Sequence, residues 1–171
     1  EWQEIGQLIG NFNIRPSFHP NQFTLFTSPR DHVTVNAIED ITYHYKLLEA
    51  MNALYNGIIN IHIGGAYGDK DSALERFHHN FNKLPINMKR KITLENDDKT
   101  YNVEETLITC EKENIPMILD YHHHLANPIE DELAHFLPRI FSTWNTSTNI
   151  PKVHISSPKS DNAYRSHADY I

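Results

Sequence analysis

Cysteine is nearly absent from this sequence, Cys110 standing alone, so no internal disulfide can form. The N-terminus, Glu1-Trp2-Gln3-Glu4, also lacks the basic-then-apolar layout of a secretory leader, and together these point to a reducing, cytoplasmic setting. Long apolar runs are missing too. Nothing approaches the ~20 consecutive apolar residues of a membrane span, and no membrane partner is expected. Positive charge is in deficit, 15 Lys+Arg against 22 Asp+Glu for a net charge of −7, which argues against simple charge-driven coating of nucleic acid. It leaves room for a nucleic-acid enzyme, because bound divalent cations reverse the local sign of a site rich in His and carboxylates. No glycine-rich nucleotide turn, internal repeat, low-complexity tract or linker is found, so a single catalytic domain over 1–171 is expected, with no obligate protein partner.

What the chain has in abundance is histidine, 12 in 171 residues. Its apolar residues fall into short continuous runs separated by longer amphipathic stretches, the pattern of a parallel α/β sheet covered on both faces. Strands are expected at 11–18, 58–63, 91–96, 116–121 and 152–156. Helical spacing links Trp2, Ile5, Leu8 and Ile9, and again Val35, Ile38, Ile41, Tyr45 and Leu48, with a stop at Asn56-Gly57. Ser72 with Glu75 and Asn102 with Glu105 read as capping boxes, the first ahead of Ala73, Leu74, Phe77, Phe81 and Leu84. After Asn127-Pro128, the residues Leu133, Phe136, Leu137, Ile140, Phe141 and Trp144 form one stripe. The opening helix has no capping residue before it and the chain stops at Ile171 after a His-rich segment. A (β/α)₈ barrel usually takes ~250 residues, so the expectation is a partial TIM barrel of about five βα units, cut short at both ends. The competing fold is a complete open α/β sheet.

Ligand-type residues recur where such a fold builds its sites. His19 follows the first expected strand, His62 and Glu95 lie near the ends of the second and third, Asp120 near the end of the fourth with His123 just beyond, and His154 on the fifth. Imidazoles and carboxylates without thiolate suit zinc, manganese or iron. Five or more ligands exceed one tetrahedral ion, so two or three ions are expected. Adjacent ions ~3.5–4 Å apart suit phosphodiester hydrolysis.

The blocks His19-Pro20-Asn21-Gln22-Phe23, His62-Ile63-Gly64-Gly65-Ala66-Tyr67-Gly68-Asp69-Lys70, Leu94-Glu95-Asn96-Asp97-Asp98, Asp120-Tyr121-His122-His123 and Lys152-Val153-His154-Ile155-Ser156 resemble, in order and spacing, the UV damage endonuclease family. The resemblance implies a metal-dependent TIM barrel, similar to endonuclease IV, that nicks damaged double-stranded DNA immediately 5′ to pyrimidine dimers and related lesions. It implies metal ligands at His19, His62, Glu95, Asp120, His123, His154 and His167, manganese being expected first and zinc second, and a catalytic group of Glu95, Lys152 and His62. A further ligand, a glutamate on the family's last strand, would lie beyond Ile171, so full activity is not expected of this stretch alone. Gln22 and Phe23 match the pair that wedges into the duplex where damaged nucleotides turn out of the stack. Phenylalanine stands where the family commonly has tyrosine, keeping the ring without the hydroxyl. Lys152 shares a strand face with His154 and matches a lysine that the family can carry in carboxylated form beside the metals. Tyr67 and Lys70 are expected at the DNA backbone, with Asp69 holding their loop.

His32, His44, His78, His79 and His135 are read as surface or helix-packing residues. His122 and His124 should face away from His123 if the chain stays extended there, with His122 and Asp169 as partners that orient ligands. Two other functions compete: a metal-dependent sugar isomerase or epimerase on a related barrel, for which the Gln22-Phe23 pair has no purpose, and a non-catalytic metal-binding module.

Overall fold

A computed structural model describes residues 1–168; Asp169, expected to orient a ligand, lies outside the described residues. The chain divides into two compact units, Glu1–Thr93 and Leu94–Ile171.

In the first unit, α1 (Trp2–Asn11) fulfils the opening helical pattern. β1 is only Ser17–Phe18, much shorter than the expected strand over 11–18. The chain is not extended over 11–14, because Asn11 still belongs to the helix and Asn13 takes a positive φ of 50°. The Asn13 and Ile14 N–H groups donate back to the Gly10 and Ile9 carbonyls, which spends these residues on ending α1. α2 (Asp31–Ala50) follows, then β2 (Ile58–His62), α3 (Lys70–Phe81), the single turn α4 (Ile86–Lys89) and β3 (Ile92–Glu95), whose last two residues belong to the second unit. β1 and β2 run parallel with Ser17 opposite Ile58 and Phe18 opposite Ile59.

Three details of the helices differ from expectation. α2 stops at Ala50 and not at Asn56-Gly57, because Asn52 supplies the left-handed residue (φ 52°). Gly57 serves closeness instead: a Cβ there would meet Leu48 Cδ2 at 2.5 Å. Along α2 the buried residues are Thr34, Ala37, Ile41 and Leu48, whereas Val35 of the expected stripe is exposed. The cap of α3 is Asp69 and not Ser72: Asp69 Oδ1 accepts the Ser72 N–H at 3.2 Å and Oδ2 its hydroxyl at 2.7 Å. The buried face of α3 holds Phe77 and Phe81, stacked at 5.3 Å, with Phe26 edge-on to both.

In the second unit the Asn102–Glu105 capping box forms as expected and opens α5 (Val103–Glu113). β4 (Met117–Asp120) pairs in parallel with the end of β3, Glu95 opposite Ile118, and with β5 (Val153–His154), Asp120 opposite His154. Between them lie α6 (Tyr121–Ala126) and α7 (Leu133–Ser142), continued by a 3₁₀ turn at Thr143–Thr146. Phe136, Ile140 and Trp144 of the expected stripe are buried, while Phe141 is exposed. The Trp144 indole donates to the Met117 carbonyl at 2.7 Å and the Met117 N–H donates to Thr143 Oγ1 at 2.9 Å, so the stripe pins the start of β4. The five strands fall at the five expected places, and the register pairs described above are all parallel, as expected for the α/β class. Among the described residues no helix is long and apolar enough to cross a membrane.

Candidate functional site

Each strand delivers its ligand-type residue at the carboxyl end. His62 closes β2, Glu95 closes β3, Asp120 closes β4, His154 closes β5, and His19 comes directly after β1. Within the first unit this brings the imidazoles of His19 and His62 to 5.1 Å between ring centres.

The second unit is more closely knit. Glu95, Asp120 and His154 form one group of possible metal donors, and Asp120, His123 and His167 another; within each, one donor atom per residue lies within 4.8 Å of the others. Asp120 belongs to both. Glu95 and Asp120 are each only 2% exposed. Buried carboxylates need compensation, and here imidazoles approach them: His154 Nδ1 lies 2.6 Å from Glu95 Oε1 and 3.9 Å from Asp120 Oδ2. His123 donates its Nδ1–H to the Asn96 carbonyl at 2.9 Å, which fixes the tautomer that leaves Nε2 as a lone-pair donor. That Nε2 faces His167 Nε2 at 3.0 Å. Two imidazole nitrogens converging beside a buried carboxylate fit a shared cation. Partial burial pulls the His167 imidazole below its ordinary pKa, with the charge of Asp120 opposing, so the neutral form that ligates is favoured.

His167 is far from the strands in sequence and is carried back by its own segment. Residues 158 and 167 pair in an antiparallel bridge, the Ala168 N–H donates to the Ser157 carbonyl at 2.9 Å, and Ser156 Oγ sits 2.5 Å from His167 Nδ1. His122 and His123 do not alternate as in a strand, because the chain turns helical at Tyr121 with Asp120 as cap, its Oδ1 accepting the His123 N–H at 2.9 Å. His122 is fully buried with its ring 4.7 Å from that of His167. Lys152 is half-buried, one residue before β5.

Sequence reasoning singled out Glu95-Asn96-Asp97-Asp98 without seeing the work of its middle residues. Asn96 clamps β3 to β4, its amide donating to the Asp120 carbonyl and its oxygen accepting the Asp120 N–H, both at 2.9 Å. Asp97 gathers the Lys99, Thr100 and Tyr101 N–H groups into a turn, and Asp98 lies 3.9 Å from Arg165.

Of the expected DNA-contacting residues, Gln22, Phe23 and Tyr67 lie in two loops of the first unit and Lys70 opens α3, and all four are exposed. Phe23 is 69% exposed and Tyr67 43%. Tyr67 sits at φ 53° with the Arg76 guanidinium 5.9 Å from its ring centre. Arg76 also donates to the Thr27 carbonyl at 2.7 Å. Gly64, at φ 120°, has no room for a Cβ, which would meet Thr27 Oγ1 at 2.6 Å. The loop after β2 is thus packed on the loop after β1.

The family model of UV-endonuclease UvdE matches residues 1–171. The chain belongs to the UvdE family. UvdE relatives include the UV DNA damage endonucleases of Bacillus cereus (strain B4264) and Bacillus mycoides (strain KBAB4). Each is 58% identical over 170 residues, which is 99% of this chain and 54% of the relative. The chain therefore spans about half the length of the curated UvdE relatives it matches. The solved structure of SacUVDE superposes with a TM-score of 0.87 at 32% identity, over 97% of this chain and 56% of that one. D-psicose 3-epimerase with D-tagatose, from Clostridium cellulolyticum H10, superposes with a TM-score of 0.68 at 16% identity over 91% of this chain and 57% of that one, a likeness of fold alone. The fold class is α/β, a partial barrel of about five βα units, as UvdE membership implies.

Proposed function

We propose that this chain carries the greater part of the active site of a DNA repair endonuclease that hydrolyses the phosphodiester bond immediately 5′ to UV photoproducts and related lesions. The observation that supports it best is the pair of donor groups sharing buried Asp120 at the carboxyl ends of parallel strands, in a chain of the UvdE family. In this reading His19, His62, Glu95, Asp120, His123, His154 and His167 hold two or three divalent ions, manganese before zinc. Bound ions supply a water activated at neutral pH and neutralise charge on the phosphoryl oxygens.

The chain's own residues set up the rest. Glu95 and Asp120 hold their charge in place through contacts made before substrate arrives, and the carbonyl of Asn96 keeps His123 in its ligating tautomer. Lys152, one residue before β5 and two before His154, is catalytic in this reading together with Glu95 and His62. Gln22 and Phe23 enter the duplex at the lesion, where poor stacking lowers the cost of turning nucleotides out. Tyr67 and Lys70 meet the backbone and fix the register. A water oxygen then bonds to phosphorus, the P–O3′ bond breaks, and O3′ takes a proton, leaving a 3′-hydroxyl and a 5′-phosphate.

The test is metal content together with incision of a duplex bearing one cyclobutane dimer, on the full-length protein. Two or three ions per chain and a single 5′ nick, both lost in Glu95→Ala, are expected. Metal without incision under varied ions would overturn the substrate while leaving the metal centre standing. Isomerisation of common sugars would then be assayed.

A further inference from the structure

We infer that Asp40 and Thr24 form a latch that positions the exposed Gln22-Phe23 tip, making Asp40, on a helix outside the metal centre, a positioning residue for lesion recognition. The inference rests on reading Gln22 and Phe23 as the wedge. Asn21, Gln22 and Phe23 are exposed, whereas the residues on either side, Pro20 and Thr24, are buried, Thr24 to 4% exposure. Inside the tip, Asn21 Oδ1 accepts the Phe23 N–H at 2.8 Å and the Asn21 carbonyl accepts the Thr24 N–H at 3.2 Å. Asn21 to Thr24 thus fold into one hydrogen-bonded turn.

That turn is tied to α2 at its far end, and the strand that leads into it packs on α2 as well. The Thr24 hydroxyl donates to Asp40 Oδ2. On the same carboxylate, Oδ1 lies 3.4 Å from His44 Nδ1, and that nitrogen donates to the Asp40 carbonyl at 2.8 Å. The His44 ring meets the Phe18 ring at 5.2 Å, and Phe18 ends the strand three residues before Asn21 opens the turn. Further along, the Phe26 carbonyl accepts from the Asn80 amide at 2.9 Å. A mobile tip would spend stacking energy on its own ordering, and a charge-assisted bond at its base removes that cost before DNA is met.

The experiment uses the full-length metal-bound protein, a duplex with one cyclobutane dimer, and hydrogen exchange without DNA. Thr24→Val should raise KM for the damaged duplex about ten-fold, with kcat within about two-fold, and Asp40→Ala should match it. Thr24→Ser, which keeps the hydroxyl, should restore KM and shows that a folded variant is being read. Amide exchange at Phe23 and Thr24 should speed up about ten-fold in Thr24→Val and not in Thr24→Ser. In a Phe23→Ala background, Thr24→Val should add almost nothing, since there is no ring left to position. A rise in KM for Phe23→Ala with none for Thr24→Val, unchanged exchange, or effects that add fully would each overturn the latch while leaving the wedge. Faster exchange in Thr24→Val with KM untouched by Phe23→Ala would instead remove the wedge reading and, with it, the positioning role.

Discussion

Phe23 and Tyr67, in the first unit, are 69% and 43% exposed, whereas Glu95 and Asp120, in the second, are each 2% exposed. The two units hold these side chains by opposite means. In the first, the side chain stands in water and the backbone beneath it is braced, by Asn21 and Asp40 under Phe23 and by Gly64 and Asp69 around Tyr67. In the second, the side chains brace one another, and the backbone joins in through Asn96. Exposed groups suit a large, variable surface such as a duplex. Buried carboxylates suit small cations, which repay their desolvation.

The contrast is broken most severely at Asp120, which both donor groups share. Asp120→Ala should strip metal and lower incision at least ~10³-fold, read by metal analysis and single-turnover cleavage. His167→Ala, which touches one group only, should fall short of that. If the two variants retain equal metal, the groups are not linked through Asp120.

Next in size is Asn96→Ala. It deletes two buried hydrogen bonds between β3 and β4 and should cost about 2–3 kcal/mol by denaturant melts. Metal affinity should fall ~10–100-fold, since the strand ends that orient Glu95 and Asp120 drift apart. Phe23→Ala should do the reverse: metal content and stability hold, and damaged-duplex affinity drops about ten-fold, the worth of one stacking ring. A loss of metal in Phe23→Ala would erase the distinction between the units.

How far the sequence could be read follows the same division. The strand-end positions of Glu95, Asp120 and His154 were legible because a parallel strand announces its own carboxyl end, and a side chain placed there needs no distant information. Asn96 and Ser156 were not, because their partners lie 24 and 11 residues away and no local pattern marks an asparagine that will bridge two strands. The turn into α6 was missed for a related reason: Asp120 ends a strand and caps a helix at once, and the apolar run before it speaks only for the strand. In the first unit the loops were found by their motifs, but the latch was hidden, since Asp40 sits mid-helix where a charged residue ordinarily means a solvated face.

The smallest expected effect is electrostatic and local. Ser72 donates both its N–H and its hydroxyl to Asp69, and these bonds hold the Asp69 carboxyl below its ordinary value of 3.8. A carboxyl whose folded pKa is depressed stabilises the fold fully above the unfolded value, and that contribution is lost as pH falls through the folded one. Asp69→Asn keeps an oxygen for the Ser72 N–H but cannot titrate. At pH 7 the variant should melt somewhat below the parent, because it lacks the stabilisation that the charged cap supplies there. As pH falls through and below the 3.8 reference, the parent should lose stability more steeply than the variant and the gap between them should close. Parallel acid limbs would show that the cap of α3 acts through shape alone, and that the loop carrying Tyr67 owes nothing to the charge at its end.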